Sequence, residues 1–295
     1  MRRWWAIARA TALEILSEPL SLLVLLTALA LMTLAPAFHY HQFGEPTRMA
    51  RDAGFSALFT FGAFFAASGA LRAVRREIES GTLEMALAHA VSRRAFFLSK
   101  AIGAAFAYLV FLFVGFAAML LVVEGARVGG MIAAKSGDLA RVYGPFLAAA
   151  LAVALVPYLV AAALNRFVRC RFVFSAFMTS LVLAAAALGF IAWFDAGLLW
   201  HYLPAVVPQT AVALTFLAAA AALAVRFRAG GALAATALVV AATLPALGNF
   251  YLADSLSRGG AVAWTYALEC VVAVVPAIAG FLILGARWME KDAIR

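Results

Sequence analysis

The chain carries very little charge for its length. Only 13% of its 295 residues are charged and 66% are hydrophobic, with a mean hydropathy of +1.00. A soluble domain of this size needs more charge to cover its surface. The composition therefore excludes an ordinary soluble protein and favours a protein whose main solvent is lipid.

Cysteines and catalytic motifs are also scarce. The two cysteines, Cys170 and Cys270, argue against a disulfide framework. No G-x-x-x-x-G-K-[ST] loop occurs, so the chain does not hold nucleotide phosphates in that way. No HExxH motif or pair of aspartates lies in an apolar run, and no Cys, Met or third His accompanies His39 and His41. We therefore expect no metal site, and an intramembrane enzyme is an alternative function rather than the expected one.

Several apolar runs reach the roughly 20 residues that a helix needs to cross a bilayer. Helices are expected because an isolated strand leaves its backbone groups unpaired in lipid. The runs are 20–38, 53–71, 101–123, 145–164, 173–193, 208–225, 231–250 and 263–286. They predict an all-α polytopic membrane protein with about eight crossings. In the alternative, 208–225 and 231–250 form one re-entrant hairpin, which leaves six full crossings.

The distribution of positive charge predicts the orientation. With the N-terminus inside, most of the 23 Lys and Arg residues lie on the inner side, as the positive-inside rule requires. All tryptophans lie at or just beyond the ends of runs, which is typical of interfacial residues. We therefore predict that both termini are cytoplasmic. Most of the positive residues behind the net charge of +9 then lie beside the anionic inner leaflet. This explains the net charge without nucleic acid, which is not an expected partner.

Residues 1–18 predict an amphipathic helix. At 100° per residue, one apolar stripe contains Trp4, Trp5, Ala8, Ala12, Ile15 and Leu16. Arg3, Glu14 and Glu18 lie on the other side, and Pro19 can end the helix. We predict an elbow helix that lies flat at the cytoplasmic interface before the first crossing.

A polar segment, residues 72–100, separates the second apolar run from the third. Gly81 permits a sharp turn there, and Ser80 or Thr82 can cap a new helix. The stretch 83–91 then predicts a mostly apolar helix that is too short to span the membrane. Such a helix needs a protein groove or the membrane surface to cover it. A solvated loop with orienting charges is the alternative.

This segment carries a family resemblance. The runs ESGTLE at 79–84 and AVSRR at 90–94, with Lys100 opening the next crossing, resemble the permease subunits of ABC-2-type ABC transporters. The elbow helix and the ending RWMEKDAI at 287–294 are similar to the same family. The nearest resemblance is to the copper-enzyme-maturation permease group. Members of the family often have six crossings, whereas this chain has eight apolar runs.

The resemblance implies that residues 72–100 form a coupling segment. In that family the segment docks into a groove of a separate ATPase subunit, which binds ATP and Mg. Such a partner would bury Leu83, Met85 and Leu87, while Glu79 and Glu84 would pair with or cap its groups. The expected docking residues are Glu77, Glu79, Gly81, Thr82, Leu83, Glu84, Met85, Leu87, Arg93 and Arg94.

The expected function is that of a single permease domain, residues 1–295, in an ATP-driven exporter of the cell inner membrane. Its expected partners are a cytoplasmic ABC ATPase subunit and a second permease subunit, identical or different. A periplasmic partner is an alternative for a permease that relays motion. An ion-coupled secondary transporter requires acidic groups near the midplane, and Glu269 is the candidate for such a pathway residue. Placement of Glu269 at the membrane interface is the alternative.

Overall fold

The computed structural model describes residues 2–34, 46–79, 92–136, 139–227, 230–232, 235–236, 238 and 262–291. Within these ranges the chain is helical apart from short connections, and no strand occurs among them. The long helices are α1 (Arg2–Leu16), α2 (Pro19–Leu34), α3 (Pro46–Glu79), α4 (Arg93–Ser136), α5 (Leu139–Val168), α6 (Phe172–Arg226) and α7 (Trp264–Lys291). A helix pairs its backbone groups within its own segment, which lipid requires. The all-α prediction is confirmed.

Among the described residues, five helical segments are long and apolar enough to cross a membrane. They are Thr47–Glu79, Arg93–Arg127, Phe172–Trp193, Gly197–Arg226 and Trp264–Lys291. The bent pair of α1 and α2 adds a sixth crossing if it is counted as one span. The prediction of a multi-pass membrane protein is therefore confirmed.

The five spans coincide with five of the predicted apolar runs, namely 53–71, 101–123, 173–193, 208–225 and 263–286. The run 20–38 corresponds to α2, and the run 145–164 lies within α5. Most of the run 231–250 lies outside the described residues. The total of eight crossings therefore stays a prediction, as does the alternative with a re-entrant hairpin.

One predicted loop is wrong. The apolar runs predict a loop at residues 194–207, but these residues are helical, and α6 continues over 55 residues from Phe172 to Arg226. A straight helix of that length would measure about 80 Å, more than twice the thickness of the hydrocarbon core. The path of α6 must therefore change direction.

Contacts with α3 show that α6 folds back on itself. The ring centroid of Phe177 lies 6.5 Å from that of Phe65. The ring centroid of Phe216, in the second half of α6, lies 6.4 Å from that of Phe59. Phe177 and Phe216 thus lie within two turns of each other along α3, although a straight helix would separate them by about 60 Å. We conclude that α6 contains two spans of opposite direction, joined by helical residues instead of a loop.

A closely packed part of the described bundle lies between α3, α4 and α6. Phe65 stacks on Phe111 with the ring centroids 4.8 Å apart. Phe97, Tyr108 and Phe111 are almost completely buried. Because lipid is as apolar as these side chains, close packing rather than exclusion from water holds the helices together. This packing fixes the end of α3 beside the start of α4.

Candidate functional site at the charged end of the bundle

The two ends of the coupling segment meet at what we call the charged end of the bundle. It comprises α1, the last two turns of α3, the first two turns of α4 and the last two turns of α7. Four of the predicted docking residues lie here: Glu77, Glu79, Arg93 and Arg94. The other six lie outside the described residues and stay predictions: Gly81, Thr82, Leu83, Glu84, Met85 and Leu87.

A nearly buried ion pair joins α3 to α4. The ammonium nitrogen of Lys100 lies 2.7 Å from Glu77 Oε1 and 3.9 Å from Glu14 Oε2, and only 5% of the Lys100 side chain is exposed. The same nitrogen lies 5.7 Å from the centroid of the Phe96 ring, a cation–π contact. A buried charge without a partner is costly. Glu77 is therefore the residue that allows Lys100 to occupy this position.

Two further ion pairs connect α1, and the residues directly after it, to α3. Arg76 Nη1 donates a hydrogen bond of 2.8 Å to Glu14 Oε1. Arg72 Nε lies 2.8 Å from Glu18 Oε2, although these two atoms are not aligned for a hydrogen bond. The two glutamates are four residues apart, and so are the two arginines. The first glutamate pairs with the second arginine, and the second glutamate with the first arginine. One turn at the end of α1 therefore runs antiparallel to one turn of α3, with the charges in register.

Glu18 is the more buried glutamate of these two pairs. Burial raises the pKa of Glu18, and the positive charge of Arg72 opposes this shift only in part. The carboxyl group of Glu18 therefore takes up a proton at a higher pH than an exposed glutamate does. On acidification, Glu18 therefore loses its negative charge, and with it the ion pair with Arg72, at a higher pH than an exposed glutamate would.

Glu79 pairs along its own helix. Arg75 Nε donates a hydrogen bond of 2.7 Å to Glu79 Oε1, and the Glu79 side chain is 57% exposed. Exposed pairs four residues apart on a helix contribute only about 0.3–0.5 kcal/mol. The carboxylate can therefore exchange Arg75 for a group of another protein at little cost. Its predicted pairing with an ATPase stays a prediction.

The start of α4 is held by the end of α7. Arg94 Nη2 donates a hydrogen bond of 2.7 Å to Glu290 Oε2. Arg93 Nη1 donates to the backbone carbonyl of Glu290 over 3.4 Å. One turn further along α4, the ring of Phe97 packs against Gly285. The downstream end of the coupling segment is thus attached to α7 by polar and apolar contacts.

The elbow helix α1 packs on the bundle instead of contacting only the membrane surface. Ala8, Thr11 and Ile15 are buried. A Cβ atom at Gly103 of α4 would clash with the carbonyl oxygen of Ala8 and lie 2.7 Å from Thr11 Cβ. The tryptophans at the start of α1 remain partly exposed, so the predicted apolar stripe is divided between protein and surroundings. α1 meets α2 at 61°, which is the bend expected of an elbow.

A comparison with protein families decides the identity. The model of the family described as ABC-2 family transporter protein matches residues 20–253. The chain belongs to this family. No curated protein and no solved structure matches it. Members of the family are membrane transport subunits rather than enzymes, and their ATPase is a separate subunit. The resemblance to the copper-enzyme-maturation group stays a prediction.

The predicted pathway residue of this ABC-2 permease, Glu269, lies far from the charged end. It occupies the second turn of α7, about 30 Å along the helix from Glu290. Its side chain is exposed, so it faces away from the described core. The structure therefore does not bring Glu269 together with the docking residues, and its role in a pathway stays a prediction.

No metal site stands out in the part of the permease that the structure describes. Within that part, no group of three or more His, Cys, Asp or Glu side chains could hold a metal ion. ATP and Mg remain expected ligands of the separate ATPase subunit rather than of this chain.

Sequence reasoning missed three residues of the charged end. Glu14 and Glu18 were predicted only to lie on the polar face of α1, yet both pair with arginines of α3. Their spacing, which equals that of Arg72 and Arg76, was an available signal. Glu290 gave no such signal because its partner Arg94 is 196 residues away in the sequence.

Proposed function

We propose that this permease is the transmembrane subunit of an ATP-driven exporter in the cell inner membrane. It works with a second permease subunit, identical or different, and with two cytoplasmic ABC ATPase subunits that bind ATP and Mg. Membership of the ABC-2 family supports a transport subunit with a separate ATPase. The coupling segment is the part that docks into the ATPase.

The set of ion pairs around the coupling segment carries this proposal. The Glu77–Lys100 pair joins the helix that enters the segment to the helix that leaves it. Arg76 connects the upstream end to α1, and Arg94 connects the downstream end to α7. A displacement of the segment is therefore transmitted to four helices, α1, α3, α4 and α7. A solvated loop whose charges only orient the protein would not need these contacts.

The proposed mechanism is mechanical. ATP closes the ATPase dimer, the docked segment moves with it, and the attached helices rearrange to open a path at the permease dimer interface. The buried Glu77–Lys100 pair supports a rigid joint between α3 and α4. The exposed Arg94–Glu290 pair supports a contact that breaks and re-forms as α7 moves against α4, because exposed pairs are weak.

Cys170 tests the proposed orientation. In this proposal both termini and the α5–α6 connection lie in the cytoplasm; Cys170 is exposed in that connection, and Cys270 is buried. A membrane-impermeant maleimide is expected to label the permease in inside-out vesicles and not in right-side-out vesicles. Cys170→Ser is expected to abolish the labelling. Labelling of Cys170 in sealed right-side-out vesicles would contradict the orientation.

A charge in the coupling segment tests the docking. Tagged permease from its native membranes is expected to bring down a protein that carries a G-x-x-x-x-G-K-[ST] loop and hydrolyses ATP. Leu83→Arg is expected to reduce this capture on the order of tenfold or more, because a groove that buries an apolar anchor desolvates the guanidinium. The measurement is the ATPase activity recovered per mole of permease.

Leu83→Met is the matched control, since it keeps an apolar side chain of similar volume. It is expected to retain the capture. Both variants must elute as a single species at the wild-type position in size-exclusion chromatography, so that misfolding does not explain a loss. The proposal would be contradicted if Leu83→Arg captured the ATPase at the wild-type level. It would also be contradicted if no sample contained an ATPase.

A further inference from the structure

The connection between α5 and α6 presents a cluster of positive charge. Residues 169–171 alone separate the two helices, and every residue from 165 to 171 is exposed. This stretch, which we call the α5–α6 turn, contains Arg166, Arg169 and Arg171. The side chains of these arginines form no ion pair with a carboxylate of the described residues.

Three arginines of the charged end differ in this respect. Arg72, Arg76 and Arg94 each have a nitrogen within 2.8 Å of a glutamate oxygen. Their charge is therefore largely neutralised by carboxylates of the protein itself. The charge of the α5–α6 turn is not neutralised by the described protein and is available to an anion outside it.

The backbone of the turn holds one of these arginines in an unfavourable conformation. Arg169 has a φ of 58°, in the left-handed region. This conformation costs a residue with a side chain about 1–2 kcal/mol, whereas glycine adopts it freely. An arginine at this position therefore adds a third positive charge to the turn at some cost in stability.

Large apolar side chains lie beside the arginines. Phe167 is 82% exposed and Val168 is 63% exposed. The following candidate span begins at Phe172, which would put the turn at the membrane surface. At that level an exposed aromatic ring can enter the acyl region while guanidinium groups reach the phosphates.

We propose that the α5–α6 turn binds the phosphate groups of anionic phospholipids in the inner leaflet. An acidic protein surface is the rival occupant. A connection of three residues does not project from the membrane, and the exposed Phe167 and Val168 fit acyl chains better than an acidic surface. The assignment to the inner leaflet rests on the orientation given under the proposed function.

Native mass spectrometry of the purified permease alone tests this inference. The protein in detergent is titrated with dioleoylphosphatidylglycerol, dioleoylphosphatidylcholine or inorganic phosphate. The wild-type protein is expected to bind the anionic lipid on the order of tenfold more tightly than the zwitterionic one, because each arginine adds attraction. The combined variant R166Q/R169G/R171Q is expected to lose this preference, with glycine chosen at 169 to suit the backbone.

The matched control removes three exposed positive charges elsewhere, in the variant R9Q/R287Q/K291Q. It is expected to retain the lipid preference. Retention of the preference by R166Q/R169G/R171Q, or an equal loss in the control, overturns the inference. Displacement of the lipid by inorganic phosphate points to a free-anion site and also overturns it. Since no ATPase is present, failure here is distinct from failure of the docking test.

Discussion

Replacing Glu77 with alanine is expected to destabilise the permease by about 3 kcal/mol, the lower end of the range for breaking a buried ion pair. The reason is that Lys100, with 5% of its side chain exposed, would keep only Glu14, 3.9 Å away, as a carboxylate neighbour among the described residues. The measurement is thermal unfolding of the detergent-purified protein followed by tryptophan fluorescence. A fall of several degrees in Tm is expected.

Glu79→Ala is the matched control because it removes the same group from the same turn of α3. The partner of Glu79 lies on the same helix, and the Glu79 side chain is 57% exposed. The expected loss of stability is therefore below about 0.5 kcal/mol. The double variant E77A/K100M removes both charges and is expected to recover most of the lost stability. Equal destabilisation by Glu77→Ala and Glu79→Ala would show that the buried pair has no special role.

The membrane spans could be predicted from the sequence because they depend on local composition. A run of about 20 apolar residues has few alternatives to a spanning helix. The runs 53–71 and 101–123 therefore correspond closely to spans of the structure. Their flanking polar residues extend each helix beyond the apolar run, to Glu79 in the first case and back to Arg93 in the second.

The connection within α6 could not be predicted in the same way. Residues 194–207 contain Asp195, His201 and Pro204, and polar residues and proline are typical of loops. The chain nevertheless remains helical there. Whether such residues form a loop or a helical corner depends on the tertiary contacts of the two spans, which composition does not reveal.

The contacts of the charged end were hidden for a different reason. Each glutamate involved has several arginines as possible partners, and the choice depends on which helices are neighbours. Glu14 pairs with Arg76 across 62 residues, and Glu290 pairs with Arg94 across 196. Equal spacing was an unused signal for the first pairing, whereas only the packing of α7 against α4 brings about the second.

The elbow helix shows a limit of amphipathic patterns. An apolar stripe predicts that one face avoids water, but it does not distinguish lipid from protein as the cover. In the structure, Ala8 and Ile15 are covered by protein, whereas Trp5 is 47% exposed. Thr11, which lies outside the predicted stripe, is completely buried. The small residue that permits this close contact, Gly103, lies in another helix.

Gly103→Val is expected to displace α1 from the bundle. A Cβ atom at this position would clash with the backbone oxygen of Ala8 and lie 2.7 Å from Thr11 Cβ, and neither atom can move without the helix. Overpacking of this kind costs about 1–3 kcal/mol or more. Because Glu14 is part of α1, its contacts with Arg76 and Lys100 would be lost as well.

Maleimide labelling of Thr11→Cys, in a Cys170→Ser background, reports this displacement. Thr11 is completely buried, so the cysteine is expected to be unreactive when position 103 is glycine and reactive in the Gly103→Val variant. Gly189→Val is the matched control, since it places the same side chain in a spanning helix where nothing lies within 4 Å. An unreactive cysteine in Gly103→Val, together with an unchanged Tm, would mean that α1 does not depend on this contact. Its ion pairs with α3 would then suffice to hold the elbow in place.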